Sequence, residues 1–172
     1  MTQMEWPWQY SFPPFFTIQP NVETRKKQLE AWRFLVLEFY RVNKLYILDV
    51  REAERLPLFN NSSINRKLSS EGIITVLNTL EKTKNAEPVD KSRTRWFVYW
   101  HTLVEWADII YNWAKDSGQI NSVCTLFEIK NTTDTEFSGL NQDVLVKVLK
   151  VLETQKKAEL IMFGENEGVK FF

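Results

Sequence analysis

The sequence predicts an α+β protein in which two similar domains follow an extended N-terminal arm. The arm is indicated by residues 1–20, which contain six aromatic side chains and four prolines. Beyond them, apolar residues at helical spacing alternate with short branched stretches that are typical of strands. The order of these segments is similar before and after residue 101. With 172 residues in the chain, each part is long enough to bury a core of its own.

The arm, residues 1–20, is predicted to be extended because its prolines interrupt an α-helix and favour extended or polyproline backbone. Its rings cannot bury one another, and each ring left in water forgoes about 1.5–3 kcal/mol of burial. We therefore expect the arm to dock, either in a groove of another protein or, alternatively, on its own first domain. The candidate docking residues are Trp6, Pro7, Trp8, Tyr10, Phe12, Pro13, Pro14, Phe15 and Phe16.

Residues 21–100 form the first predicted domain. Its first helix has Asn21 as a candidate N-cap, and apolar residues recur at three- and four-residue steps from Leu29 to Phe39. Ser70 is the expected N-cap of a later helix. The expected elements are helix Val22–Asn43, strand Leu45–Val50, helix Ile64–Leu68, a helix over residues 70–84, and a hairpin of Ala86–Asp90 with Arg95–Trp100.

Residues 101–172 form the second predicted domain. Thr102 and Glu105 have the spacing of a capping box, and Gly118 stands where a glycine commonly ends a helix. Asn141 is the expected N-cap of a later helix. The expected elements after the first helix are strand Ser122–Ile129, a helix over residues 142–156, and a hairpin within Ala158–Phe172.

An internal repeat connects the two domains. At one constant offset, residues 70–89 align with residues 142–161 without a gap, and Leu77 meets Leu149 while Glu81 meets Glu153. A match that continues from a helix into a strand indicates two copies of one fold. The order of helix, strand, two helices and two strands in the first domain is that of a winged-helix domain. The sequence therefore predicts two tandem winged-helix domains.

Few residues in this sequence could carry catalysis or bind a metal. His101 is the only histidine, and Cys124, the only cysteine, lies in an apolar stretch that is typical of a core. The five glycines form no phosphate-binding loop. We therefore expect no enzyme activity, no metal and no cofactor. A single cysteine forms no internal disulfide, and no stretch has the roughly 18 apolar residues of a membrane span, so a cytoplasmic protein is expected.

The charge of the chain separates its two halves. The 22 basic and 22 acidic residues balance, yet residues 1–100 carry a net charge of +4 and residues 101–172 a net charge of −4. The third helix of such domains commonly lies in the major groove of DNA. The alternative function is therefore that of a DNA-binding or transcription-associated protein. Neither candidate helix has a basic stripe, since Glu81 and Glu153 interrupt their lysines. This pattern argues against a nucleic-acid partner.

Three segments carry a resemblance to a known family: WPWQYSFPPFF at residues 6–16, PLFNN at residues 57–61 and GVKFF at residues 168–172. On a tandem winged-helix chain, they resemble the small subunits of the ESCRT-II endosomal sorting complex. The resemblance implies a Y-shaped complex with two copies of this subunit, each attached by its N-terminal domain to one of two larger subunits. It also implies that PPxY-like motifs of the arm enter hydrophobic pockets there. Phe16 stands where a strict motif has tyrosine.

The resemblance also implies a partner for the C-terminal domain. In the family, that domain recruits the ESCRT-III subunit that nucleates scission filaments, by binding its basic N-terminal helix. A net charge of −4 suits such a helix. From charge alone, the contact candidates are Glu128, Asp134, Glu136 and Asp143.

The implied function is that of a non-catalytic adaptor. It links ESCRT-II to ESCRT-III while ubiquitinated membrane proteins are sorted into multivesicular bodies. The resemblance thus implies a cytoplasmic chain that is recruited to the endosomal membrane only through its complex.

Overall fold

A computed structural model describes residues 4–163 and 166–172 and has the predicted α+β class. The chain divides into two compact units, Met1–Trp100 and His101–Phe172. Each unit contains helices and a three-stranded antiparallel sheet, and in both sheets the last strand of the unit is the central one. The two units are described separately below.

The arm begins the first unit and is less extended than the sequence predicts. Its backbone is extended at Phe12 and Thr17. One 3₁₀-helix, Trp8–Ser11, precedes Phe12, and a second, Pro13–Phe16, lies between Phe12 and Thr17. Proline fits the first positions of such a turn because its φ is already helical. The N–H that proline lacks would have no acceptor within the helix at these positions. The prolines therefore begin a short helix here. Residues 1–3 of the arm lie outside the described residues.

Helix α1, Val22–Val42, confirms the first predicted helix. The side chain of Asn21 accepts a hydrogen bond from the backbone N–H of Thr24, which satisfies one of the free donors at the helix start. Trp32, Leu35 and other apolar residues at helical spacing face the core of the unit. The apolar residues of the predicted amphipathic pattern thus form the face with which this helix packs against the core.

The short helix predicted at Ile64–Leu68 is wrong. Strand β1, Ile47–Asp49, is followed instead by strands β2, Asn60–Asn61, and β3, Arg66–Lys67, which pair around a 3₁₀-turn. Asn65 ends that turn with a φ of 52° in the left-handed region, which breaks a helix at this point. The spacing of four residues between two apolar side chains imitated a helical repeat.

Helix α2, Ser70–Lys82, and a hairpin complete the first unit. Its N-cap is Ser69, one residue before the predicted cap, and the Ser69 hydroxyl accepts the N–H of Gly72 at 3.1 Å. Strands β4, Ala86–Pro88, and β5, Arg95–Val98, confirm the predicted hairpin with shorter strands. The sheet has the order β1-β5-β4.

The second unit begins with helix α3, Leu103–Asp116, which confirms the predicted capping box. Thr102 accepts the N–H of Glu105, and the Glu105 carboxylate accepts the N–H of Thr102. Gly118, just past the helix, has a φ of +69°, a conformation that glycine adopts without strain. Both ends of this helix are therefore as predicted.

The strand predicted at Ser122–Ile129 is correct only in its first part. Strand β6, Val123–Thr125, gives way to the short helix α4, Leu126–Lys130. The hydroxyl of Thr125 accepts the N–H of Glu128 at 3.0 Å and so starts the helix inside an apolar stretch. The branched residues predicted a longer strand because period alone does not separate short strands from short helices.

Helix α5, Gln142–Thr154, follows the predicted cap Asn141, whose side chain accepts two backbone N–H groups. Strands β7, Ala158–Phe163, and β8, Asn166–Phe171, form the predicted final hairpin. Residues 164–165, within that hairpin, lie outside the described residues. The sheet order β6-β8-β7 matches that of the first unit.

The internal repeat is present in the structure. Helices α2 and α5 begin 72 residues apart and both contain 13 residues, and strands β4 and β7 begin with the same separation. The paired residues Leu80 and Leu152 are both fully buried. Lys84 and Lys156, again 72 residues apart, both have a positive φ where the helix turns into the strand. The two segments therefore share a core and a connecting turn.

Candidate functional site

The inner side of the arm is packed into the first unit. Phe15 and Phe16 are each only 4% exposed and belong to the core of that unit. The Phe15 ring stacks on the indole of Trp32 at 4.2 Å between centroids with an interplanar angle of 6°, and Phe16 meets the same indole edge-on at 5.5 Å. These two rings are therefore structural parts of the first unit.

Two hydrogen bonds reinforce this packing. The Trp32 indole N–H donates to the carbonyl oxygen of Phe15 at 2.9 Å, inside the core. The Tyr10 hydroxyl donates to the carbonyl oxygen of Pro57. Burial raises the pKa of Tyr10 above its ordinary value, so the phenol keeps the proton that it donates. The segment around Pro57, which the sequence singled out as PLFNN, thus receives the arm.

The outer side of the arm stays exposed. Trp8 is 70% exposed, Phe12 47% and Trp6 38%, and the rings of Trp8 and Phe12 lie 5.7 Å apart. Pro13 and Pro14 are exposed beside them. We call these five residues the docking face. An exposed cluster of large apolar side chains is typical of a surface that binds another protein.

The structure thus divides the nine predicted docking residues. Five form the docking face, and their contact with a partner stays a prediction. Tyr10 and Pro7 are half-buried, and Tyr10 supports the docking face because Trp6 stacks on its ring at 3.9 Å. The core of the first unit buries Phe15 and Phe16, which is the packing expected from the alternative of docking on the chain's own first domain. Their contact with a partner stays a prediction.

The four acidic candidates of the second unit are all exposed, but the structure does not gather them on one element. Glu128 lies in the first turn of α4 and Asp143 in the first turn of α5, where carboxylates stabilise a helix N-terminus. Asp134 and Glu136 lie in the loop between these helices. The Glu136 carboxylate is 2.6 Å from His101 Nε2. Their role in partner binding stays a prediction.

Sequence charge missed an apolar residue beside these carboxylates. Phe127 on α4 is 74% exposed, next to Glu128. Val123 on β6, four residues earlier, is exposed as well. Alternation along the strand around the buried Cys124 could have indicated the exposure of Val123. It gives no signal for Phe127, which lies on helix α4. We call Phe127 and Glu128, both on α4, the α4 surface.

The cysteine that the sequence assigned to the core is buried there. Its thiol donates to Gln119 Oε1 at 3.1 Å, and burial together with the charge of Glu128 raises the thiol pKa, which disfavours a reactive thiolate.

Within residues 4–163 and 166–172, no three metal-ligating side chains come together. In the same residues, no helix combines the length and the apolar character needed to cross a membrane.

Comparison with known proteins identifies the family. A family model of ESCRT-II complex subunits matches residues 9–143, which is more than half of the chain. The chain belongs to the ESCRT-II complex subunit family. The match to this ESCRT-II family includes most of the arm, from Gln9 onward, together with the whole core of the first unit.

Relatives of this ESCRT-II chain are similar over their full length. Vacuolar protein-sorting-associated protein 25 of Danio rerio is 51% identical over 171 residues, with 98% of both chains covered. The protein of the same name from Xenopus laevis is 49% identical with the same coverage. That of Drosophila melanogaster is 42% identical over 175 residues and covers all of both chains.

Solved structures agree with these relatives. VPS25 of the endosomal trafficking complex ESCRT-II matches with a TM-score of 0.86 at 30% identity, over 99% of both chains. A chain in the crystal structure of endosomal complex ESCRT-II (VPS22/VPS25/VPS36) matches with a TM-score of 0.81 at 30% identity, over 96% of this chain and 98% of that chain. These similarities support the ESCRT-II function and give no support to the DNA-binding alternative.

The division of the arm into buried and exposed rings predicts very different losses of stability for two similar substitutions. Phe15→Ala removes the ring stacked on Trp32, and we expect it to lower the free energy of unfolding of the first unit by about 3–5 kcal/mol. Phe12→Ala removes an exposed ring, so we expect a change of about 0.5 kcal/mol or less. Urea denaturation of the full chain, followed by tryptophan fluorescence, measures both. Equal losses would contradict the division.

Proposed function

We propose that this chain is a non-catalytic adaptor subunit of the ESCRT-II complex, acting in the endosomal sorting of ubiquitinated membrane proteins into multivesicular bodies. The observation that carries the proposal is the docking face, in which Trp8 and Phe12 stay exposed although Phe15 and Phe16 of the same arm are buried in the core. A folded segment that leaves its largest rings in water is typical of a binding surface. The chain belongs to a family of ESCRT-II complex subunits, and other subunits of such a complex are candidate partners for this surface.

The proposed partners of the docking face are the two larger subunits, of the kind that the solved ESCRT-II complex contains as VPS22 and VPS36. Trp6, Trp8 and Phe12 are the proposed anchors, since a few aromatic residues in a partner's pockets commonly contribute most of the binding free energy. Two copies of this chain per complex are proposed, one for each larger subunit. Each docking face then occupies one apolar pocket region.

The second unit is proposed to recruit the nucleating ESCRT-III subunit through that subunit's basic N-terminal helix. Such a helix has an apolar stripe beside cationic side chains, and it fits a surface with an exposed apolar residue beside acidic ones. The α4 surface offers this pair, with Phe127 next to Glu128. The net charge of −4 over residues 101–172 favours the encounter.

The proposed location follows from these contacts. The chain is a cytoplasmic subunit that reaches the endosomal membrane through its complex. Lipid and cargo recognition then belong to other subunits, and no nucleic acid is involved.

The docking proposal predicts that Trp8→Ala abolishes assembly without unfolding the chain. The ring is 70% exposed, so its loss changes stability little, while loss of an interface anchor weakens binding at least about thirtyfold. The measurement is native mass spectrometry after co-expression with subunits of the VPS22 and VPS36 kind. The expected wild-type assembly contains two copies of this chain and one of each larger subunit.

Phe34→Ala is the matched control for the docking face. Phe34 is also an exposed aromatic residue, at 63%, but it lies on α1 outside the arm. Assembly of Phe34→Ala should equal that of the wild type. Normal assembly of the Trp8→Ala variant, or a single copy of this chain in the wild-type complex, would contradict the corresponding part of the proposal.

The ESCRT-III proposal predicts that Phe127→Ser lowers affinity for the basic N-terminal helix of the ESCRT-III subunit by about tenfold or more, because it removes the apolar contact. Glu128→Gln should weaken binding less and reduce its dependence on salt. Fluorescence anisotropy of a labelled helix peptide, titrated with the full chain at several salt concentrations, measures both effects.

Met162→Ser is the control for the α4 surface. Met162 is an exposed apolar residue of the same unit, on β7 instead of α4. Its substitution should leave the affinity unchanged. If Phe127→Ser binds like the wild type, the α4 surface is not the contact, and if the wild type does not bind the peptide, the second unit is not the recruiting part.

A further inference from the structure

A polar residue on the buried face of α1 makes all of its described side-chain hydrogen bonds to the arm. Gln28 is buried in the first unit. Its amide N–H₂ donates to the carbonyl oxygens of Phe15 at 3.0 Å and Thr17 at 2.8 Å. Its amide oxygen accepts the backbone N–H of Gln19 at 3.0 Å. One side chain thus fixes the backbone of the arm over about five residues.

A second buried amide holds the arm further toward its N-terminus. Asn61, on β2, donates through Nδ2 to the carbonyl oxygen of Tyr10 at 2.7 Å. Its Oδ1 accepts the N–H of Ser63 at 3.1 Å, which fixes the orientation of the amide. We call Gln28 and Asn61 the arm clamp.

The arm clamp binds backbone atoms on both sides of Phe12, Pro13 and Pro14, three of the five residues of the docking face. Asn61 holds the chain at Tyr10, and Gln28 holds it at Phe15 and Thr17. Phe12, Pro13 and Pro14 lie between these fixed points. Because the bonds go to main-chain carbonyl and N–H groups, they set the path of the main chain and leave the exposed side chains free to contact a partner.

We propose that Gln28 and Asn61 are positioning residues for assembly, which present the docking face in its binding conformation before the partner arrives. The inference rests on the proposed docking of the arm. A loose arm loses conformational entropy when it binds, and this loss reduces affinity. An arm that is ordered during folding has no such loss at the binding step. The two amides touch no partner and act through the arm backbone.

Both amides are buried, so the arm also completes the first unit. A buried donor without an acceptor is unfavourable, and the arm carbonyls supply the acceptors. A purely structural clamp would affect only folding stability. A positioning clamp also affects the association rate of a chain that is still folded, and this difference separates the two roles.

The test compares Gln28→Met and Asn61→Leu with wild type in the full chain. Both substitutions keep most of the side-chain volume and remove the hydrogen bonds. Amide hydrogen exchange reports order in the arm, where the N–H groups of Phe12, Phe15 and Thr17 are hydrogen-bonded. Surface plasmon resonance against the purified pair of larger subunits reports association. Lys27→Met, at the neighbouring exposed position of α1, is the control.

We expect each clamp variant to speed exchange in residues 8–19 by about tenfold or more while exchange in α5 is unchanged. Association with the larger subunits should slow by about tenfold, and Lys27→Met should match the wild type. Measurements are made below the unfolding midpoint of each variant. If Gln28→Met unfolds the first unit, Asn61→Leu, which frees the arm only at Tyr10, decides the question.

Three results would overturn the inference in distinguishable ways. If the clamp variants loosen the arm but associate at the wild-type rate, the amides are structural only and docking itself stands. If Trp8→Ala associates like the wild type, the arm does not dock, and the positioning role falls with the proposed function. Unchanged exchange in the arm of both clamp variants would show that the amides do not order it.

Discussion

The stack of Phe15 on Trp32 is the contact on which the rest of the first unit depends. Trp32 is fully buried, lies 4.2 Å from the Phe15 ring and donates its indole N–H to the Phe15 carbonyl. Apolar burial, ring stacking and a buried hydrogen bond therefore act at one residue, and the arm cannot leave without opening the core. Because Phe12 is only three residues away, this contact also sets where the docking face lies.

The two units show how one fold supports two surfaces. Helices α2 and α5 share length, buried positions and the turn that follows them, so their cores serve the same structural purpose. The first unit adds the arm, whereas the second has a net charge of −4 and an exposed Phe127. Substitutions at the surface cost little stability, which lets a repeated core carry different binding surfaces. The proposed adaptor function needs this combination of similar cores and different surfaces.

Much of the fold could be predicted because its signals are local. The caps Asn21, Thr102 and Asn141 each depend on neighbouring residues, and all three are present. The repeat could be found by direct comparison of two segments of the sequence, and it is present as well. The helix expected at Ile64–Leu68 failed because Asn65 adopts a left-handed backbone that spacing does not reveal. The burial of Phe15 depends on Trp32, 17 residues away, so composition showed that the arm docks but not which rings face inward.

The most direct test of the central claim compares deletion of residues 1–9 with deletion of residues 1–19. Thermal denaturation and co-purification with the larger subunits are measured on both. The first deletion removes Trp6 and Trp8 and should abolish co-purification while the first unit keeps its cooperative transition. The second deletion also removes Phe15 and Phe16 from the core, and the cooperative thermal transition of the first unit should therefore be lost. Equal melting of the two deletions, or co-purification of either, would contradict the account.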